Sequence, residues 1–390
     1  MPGRSVYLDH AATTPLDERV LEAMLPYFTR EFGNPSSIHR WGQRAEAAVE
    51  EARRTLAELL GASPDEIVFT SCGSESDNLA LRGVCRAEHV RRGARHLLTT
   101  PVEHHAVLRT ARQLAELEGF ELELLPVDEF GRVAPAVVEE RLRADTALVS
   151  VIFANNEIGS VNPIADLAQV CRRHGIPFHT DAVQAASQLE IDVGWLGVDL
   201  LSIGAHKFYG PKGIGALYVR RGTPIVPVQT GGGQESDLRA GTLNVPLIVG
   251  MAEALRRTDE LRPEMNLRFQ RLRDRIVEDI LVQIPEARLT GHPSERLPNH
   301  ASFVFRGIDG NALLAALDLA GFACSSGSAC KTGDPEPSEV LTALGLPRDW
   351  ALGSLRVTVG RATSDEDIAA FLAALPPILT RLRQVQRQPA

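Results

Sequence analysis

The sequence predicts an α/β protein, with a large domain on a mostly parallel central sheet followed by a smaller α+β domain. Three observations lead there. From about residue 45 to 220, short β-rich runs alternate with amphipathic stretches of about a dozen residues, the rhythm of right-handed βαβ units. Gly and Pro density then rises through Gly222, Pro224, Pro227 and Gly231-Gly-Gly233, too irregular for the inside of a sheet. The last hundred residues mix strands and helices without that alternation. The expected division is a large domain over 16–255 and a small one formed by 1–15 with 256–390.

In chain order, residues 45–60 carry apolar side chains at helical spacing, and Gly61 is placed to end that helix. The run Glu66-Ile-Val-Phe-Thr70 reads as a strand, followed by a turn of small residues and a helix from Ser74. Strands are expected at 96–99, 121–125, 147–153, 177–180 and 200–203, with helices between them that include 105–118 and 164–174. Residues 212–220 read as one more strand, and 249–281 as a charged helical connector. Strands at 301–306 and 354–359 and helices at 311–320 and 365–383 complete the chain.

Composition narrows the function. The 390 residues are 44% hydrophobic and 23% charged, enough for a sizeable core. With 41 basic and 50 acidic side chains the net charge is −9, and no long Lys/Arg run is present, so nucleic-acid binding is not expected. No stretch approaches the ~20 apolar residues of a membrane span. The opening Met-Pro-Gly-Arg-Ser runs into Val6-Tyr7-Leu8 without the apolar stretch of a secretory signal. Five scattered cysteines make no disulfide framework. The expectation is a cytoplasmic protein.

Ligands of open α/β sheets bind at the carboxyl ends of the strands, and several expected strand ends here carry reactive side chains. Ser71-Cys-Gly73-Ser74-Glu-Ser76 opens a helix with small residues, a phosphate cradle in one reading and an N-cap at Ser74 with Asp77 in the other. Asp181 ends a strand, either as a helix cap or as an anion facing the cleft. His206-Lys207 follows another strand and precedes a rigid Gly/Pro turn. A lysine that can form a Schiff base, an aspartate that can pair a pyridinium nitrogen and a phosphate cradle are together the parts a pyridoxal 5'-phosphate (PLP) site requires. His104 could stack on such a ring and act as acid or base, and Asn155 could bond its phenolic oxygen or shape a turn. Cys330 stands in a Ser/Gly/Pro-rich loop beside Lys331, a setting that favours thiolate. The five-residue gap to Cys324 and the lack of a nearby His argue against zinc. Arg356, inside an apolar strand, requires an anion.

These residues resemble the cysteine desulfurase family in its NifS/IscS-like branch, within the class V aminotransferase superfamily of fold-type I PLP enzymes. The resemblance runs through Tyr7-Leu-Asp-His-Ala-Ala-Thr-Thr-Pro15, Phe32-Gly-Asn-Pro-Ser36, Glu103-His104 and Asn155-Asn-Glu-Ile-Gly159. It continues in Asp181-Ala-Val-Gln184, His206-Lys207-Phe-Tyr-Gly-Pro-Lys-Gly213, Gly231-Gly-Gly-Gln-Glu235, Arg239-Ala-Gly-Thr242 and Ser325-Ser-Gly-Ser-Ala-Cys330. It implies that Lys207 holds PLP, Asp181 pairs its ring nitrogen, and His104 stacks on the ring. Gln184 and Asn155 would contact the ring oxygen or the substrate. Gly73, Ser74 and His206 would bind the phosphate, joined by Thr242 of a second subunit, so a homodimer is implied. Arg356 with Asn155 would hold the carboxylate of L-cysteine. Cys330 would take its sulfur as a persulfide, releasing L-alanine, and pass the sulfur to an acceptor protein such as an iron–sulfur scaffold or into tRNA thiolation. A related lyase acting on selenocysteine or cysteine sulfinate is the alternative, whereas a nicotinamide dehydrogenase lacks its Gly-x-Gly-x-x-Gly. Two departures stand out. Gly204 replaces the family's serine, with Ser202 as the nearest replacement hydroxyl, and Cys324 adds a second thiol before Cys330.

Overall fold

The computed structural model describes residues 5–326 and 336–386. In chain order the strands are β1 (Val6–Tyr7), β2 (Ile67–Thr70), β3 (His96–Thr99), β4 (Glu121–Leu124), β5 (Thr146–Ser150), β6 (Phe178–Asp181), β7 (Leu200–Gly204), β8 (Gly215–Val219), β9 (Ala287–Leu289), β10 (His300–Phe305), β11 (Phe322–Ala323) and β12 (Ser354–Thr358). Seven form the central sheet in the order β2-β8-β7-β6-β5-β3-β4. Adjacent pairs are parallel except the two that β8 makes. The exception follows from length, because residues 205–214 are too few for the crossover of a dozen or more residues that a parallel pairing needs. The carboxyl ends of β2, β3, β5, β6 and β7 therefore share one edge of the sheet, which brings the segments after them together.

Both sheet faces are covered. Leu98, Val149, Phe178 and Ile203 pack with Leu56 and Leu60 of the helix Arg40–Leu60 and with Met251 and Leu255 of the helix Val245–Gln283. On the opposite face Leu97, Leu148 and Leu217 meet Leu81 and Val84 of the helix Gly73–Arg92 and Leu114 of the helix His105–Glu118. The helix Arg40–Leu60 ends at Gly61, whose φ of 66° is left-handed, as the sequence led us to expect. It begins five residues before the expected start because His39 caps it, the ring Nδ1 accepting the N–H of Gly42 at 3.2 Å. The helix Glu18–Thr29, capped by Asp17, is not signalled in our reading of the sequence.

The helix Val245–Gln283 is 39 residues long, roughly 58 Å, and continues through Pro263. Its first half belongs to the sheet core. Phe269, Leu272, Ile276 and Ile280 of its second half belong to a separate cluster with Val6, Leu8, Phe303, Phe305, Val357 and Phe371. The antiparallel sheet β12-β10-β9 and the parallel pair β1-β11 lie in that second unit. Among the described residues no helix is long and apolar enough to cross a membrane.

Candidate active site

The segments after β2, β3, β5, β6 and β7 line one cleft of about 720 Å³ of empty space, part of it open to solvent. Lys207 sits in the turn after β7, and its Nζ donates to the carbonyls of Ala11 (2.6 Å) and Ala12 (2.8 Å). Burial lowers its pKa to about 8, with Arg356 adding to the shift and Asp181 and Asp9 opposing it. The amine is thus far more available as a nucleophile near neutral pH than a surface lysine. Beside it His206 is held down to about 4 by burial, then by Lys207 and Lys212, and its Nδ1 lies 3.2 Å from Thr13 Oγ1.

The floor of the cleft is acidic. Asp181, at the end of β6, is buried and accepts the N–H of Val183 at 2.9 Å. Asp77, in the helix Gly73–Arg92, is also buried, and its Oδ1 has no hydrogen-bond partner. Burial raises both carboxyls; Asp181 pushes Asp77 up further, while His104, the Val183 N–H and Lys207 pull Asp181 down. A ring nitrogen of His104 and one oxygen each of Asp77 and Asp181 lie within 4.8 Å of one another. Beneath them His179 is kept neutral by burial, at about 3, between Ser150 Oγ (2.8 Å) and Ser202 Oγ (3.0 Å). Glu103 lies fully buried nearby, pushed up to about 8 by burial despite hydrogen bonds from Thr100 and from the N–H of Ile152.

His104 caps its own helix, Nδ1 accepting the N–H of Ala106 at 3.2 Å, which leaves the ring proton on the Nε2 side. Gln184 lines the cleft, and its Nε2 donates to Ala11 O at 2.7 Å. Gly73 and Ser74 open the helix Gly73–Arg92 at the cleft wall, with Cys72 and not Ser74 as N-cap. Asp77 is therefore no capping residue. A Cβ on Gly73 would stand 2.5 Å from Val183 Cγ2, so only glycine lets the backbone approach this closely.

Arg356 on β12 reaches the cleft across the small sheet. Its Nη2 pairs with Asp9 Oδ1 (2.7 Å), its Nη1 donates to Asn156 O (2.8 Å), and its buried Nε has no partner. Asn155 is a different case. Its amide is turned to the backbone, donating to Val102 O (2.7 Å) and accepting from Glu157 and Ile158 (2.8 and 3.0 Å), while Asn156 is the residue that lines the cleft. These bonds make Asn155 a turn-shaping residue. Ser202 is spent on His179 beneath the cleft and supplies no replacement for the hydroxyl missing at Gly204. Thr242 lines a second cleft with Phe32 and Asn34, apart from Lys207. Cys330 lies outside the described residues. Cys324 is described; it lies half-buried against the second hydrophobic cluster, and burial drives its thiol well above the ordinary range.

Asp77, Glu103, Asn156 and Asp9 escape the sequence reading as site residues. Each is a common helix or turn residue by type; Asp77 and Glu103 are marked by their burial, Asp9 and Asn156 by their bonds to Arg356. Asp77 Oδ1 lacks a hydrogen-bond donor, whereas Asp181 accepts from Val183 and feels the positive charge of Lys207. That favours a protonated ring nitrogen over a metal ion. With a buried amine above and a helix amino end at the wall, the residues fit a phosphorylated pyridine aldehyde.

Fold and cleft together define a PLP-dependent α/β enzyme. The chain belongs to the class-V aminotransferase family, which it matches over residues 6–371. It is 46% identical to "Cysteine desulfurase IscS" of Methanosarcina thermophila, over 98% of this chain and 94% of that one. With "Cysteine desulfurase NifS" of Azotobacter vinelandii it shares 43% over 97% of this chain and 94% of that one. Among solved structures a NifS-like protein superposes with a TM-score of 0.90 at 38% identity, covering 97% of this chain and all of the other. SspA in complex with cysteine gives a TM-score of 0.78 at 37% identity, covering 90% of this chain and 98% of that one.

Proposed function

We propose that the protein is a cysteine desulfurase, converting L-cysteine to L-alanine and carrying the released sulfur on Cys330. One observation carries the reading beyond the family. Arg356, the cation suited to an amino-acid carboxylate, exchanges backbone hydrogen bonds with Ser325, so the Cys330-bearing segment leaves the described fold beside the substrate's anchor. The two named desulfurases, 46% and 43% identical along nearly the whole chain, support it.

When bound, PLP supplies an electrophilic carbonyl carbon and a ring that takes up the electrons released at the substrate Cα. Lys207 Nζ would hold the cofactor and, when free, would accept the Cα proton; at about 8 its pKa suits that role. Asp181 would pair the ring nitrogen, and His104 would lie against the ring with its proton at Nε2. Gly73 and Ser74 at the helix amino end, with His206, take the phosphate. Gln184 faces the ring oxygen, and Asn155 serves from behind by fixing the turn that presents Asn156. Arg356 takes the carboxylate. The Cys330 thiolate forms a bond to the substrate sulfur, the Cβ–S bond breaks, and the remaining carbon unit leaves as alanine after protonation.

Thr242, exposed in a cleft it shares with Phe32, would complete the phosphate site of a second subunit in a homodimer. The second hydrophobic cluster supports a division into 16–255 and 1–15 with 256–390. The persulfide would pass to an acceptor protein, an iron–sulfur scaffold being the suitable class. L-cysteine should give alanine and sulfide in equal amounts in the presence of a thiol reductant. A cofactor-loaded protein releasing neither product would overturn the assignment.

A further inference from the structure

The segment that carries Cys330 is fastened at both ends to the wall of the cleft. At its entry, Arg356 N–H donates to Ser325 O at 2.7 Å and Ser325 N–H returns a bond to Arg356 O at 3.3 Å. At its exit, Ser338 caps the short helix Glu339–Ala343, its hydroxyl oxygen accepting the N–H groups of Val340 (3.1 Å) and Leu341 (3.4 Å). A serine hydroxyl has one proton to give, and Ser338 gives it to Oε2 of Glu157. Glu157 belongs to the turn in which Asn156 O receives Arg356 Nη1, so one turn holds both the carboxylate-binding arginine and the exit of the cysteine segment. The apolar side of the short helix, Val340 and Leu341, packs with Val102 and Ile158, neighbours of Glu103 and Glu157 in the chain.

Burial pushes the Glu157 carboxyl up to about 7; Ser338 and Arg356 pull it down and Glu339 pushes it up. A carboxyl is costly to keep so deep, and none of the roles assigned to Lys207, His104, Asp181 or Cys330 uses it. Its one hydrogen-bond partner among the described side chains is Ser338.

We propose that Glu157 is a positioning residue for the Cys330 thiol, acting through Ser338 to fix where the cysteine-bearing segment re-enters the fold. This rests on Cys330 as the sulfur acceptor. Cys330 stands five residues after the anchor at Ser325 and eight before the anchor at Ser338, at most about 18 and 29 Å of chain, so the two anchors together bound where the thiol can go. A misplacement of about 1 Å can cost on the order of a hundredfold in rate.

Three variants of the holoenzyme test this. Ser338→Asp keeps an N-capping oxygen but has no proton to give and sets a like charge against Glu157. Glu157→Ala removes the acceptor, and Glu157→Gln keeps one. Ser338→Asp and Glu157→Ala should lower kcat for alanine release about tenfold or more with KM for L-cysteine unchanged, and should speed iodoacetamide alkylation of Cys330 several-fold. Glu157→Gln should stay near wild type in both. Wild-type kcat and alkylation in Ser338→Asp and Glu157→Ala would overturn the proposal. A raised KM with unchanged kcat would also overturn it, making Glu157 a support for Arg356. If the wild type itself released no alanine, the desulfurase reading would fail, while the alkylation rates would still decide whether Glu157 anchors the segment.

Discussion

Lys207 shows how burial and function meet in one side chain. Its ammonium finds two backbone carbonyls and no carboxylate within hydrogen-bond reach, so desolvation wins and the pKa falls from 10.5 to about 8. Between those values the unfolded chain holds a proton that the folded chain has lost, so the cofactor-free protein should gain stability as pH rises from about 8 to about 10.5. Thermal melts across that range check the sign. Uptake of PLP by the cofactor-free protein needs the neutral amine, so its rate should rise with pH around a midpoint near 8; a midpoint above 10 would show that the site does not tune Lys207. Arg356→Ala should raise KM for L-cysteine at least about tenfold, the loss of a charge-assisted pair, and Arg356→Lys should not restore the planar fork. An unchanged KM would make Arg356 structural. At this scale the sequence exposes Lys207, Asp181, His104 and Arg356 because each is an unusual type for its expected element. Asp77 and Glu103 are missed because their types are ordinary there, and only their depth is not.

At the scale of elements, the helix Gly73–Arg92 and the end of β7 set the wall that would face the phosphate. Gly73→Ala would put a Cβ 2.5 Å from Val183 Cγ2 and should cost about 1–3 kcal/mol, with weaker cofactor retention. Gly204→Ser is the contrasting case, since its Cβ would meet Gly73 N at 3.5 Å, an ordinary contact. That variant should stay within about 0.5 kcal/mol of wild type and hold PLP at least as tightly, as fluorescence titration would show. A clear loss of affinity would mean that the wall has no room for the family's hydroxyl. Most strands are legible because a continuous apolar run between turn residues has few alternatives, as in β2 and β7. The expected strand at 147–153 is regular only as far as Ser150, although Val151 and Phe153 still donate to His179 O and Asp181 O of β6. The start at Arg40 is hidden because an imidazole cap has no sequence signal comparable to Ser or Asp.

At the scale of the whole molecule, Thr242 and Lys207 line different clefts, and the proposed homodimer would bring them together in a shared site. Dimers assembled from Lys207→Ala and Thr242→Ala chains would contain one intact site, so mixing two poorly active variants should restore activity. No recovery would contradict the shared site. The alternation of strand and helix made the large unit readable from sequence, whereas the small unit gathers Val6 and Leu8 with residues more than 250 positions away, a pairing that no local pattern announces. The central claim is that Cys330 receives the sulfur of L-cysteine, and it is tested most directly by alanine release from L-cysteine in cofactor-loaded wild type and Cys330→Ser. The account predicts alanine and sulfide in equal amounts from the wild type, and a substitution that leaves substrate binding to the cofactor visible in the absorbance spectrum while abolishing both products. Full activity in Cys330→Ser would contradict it.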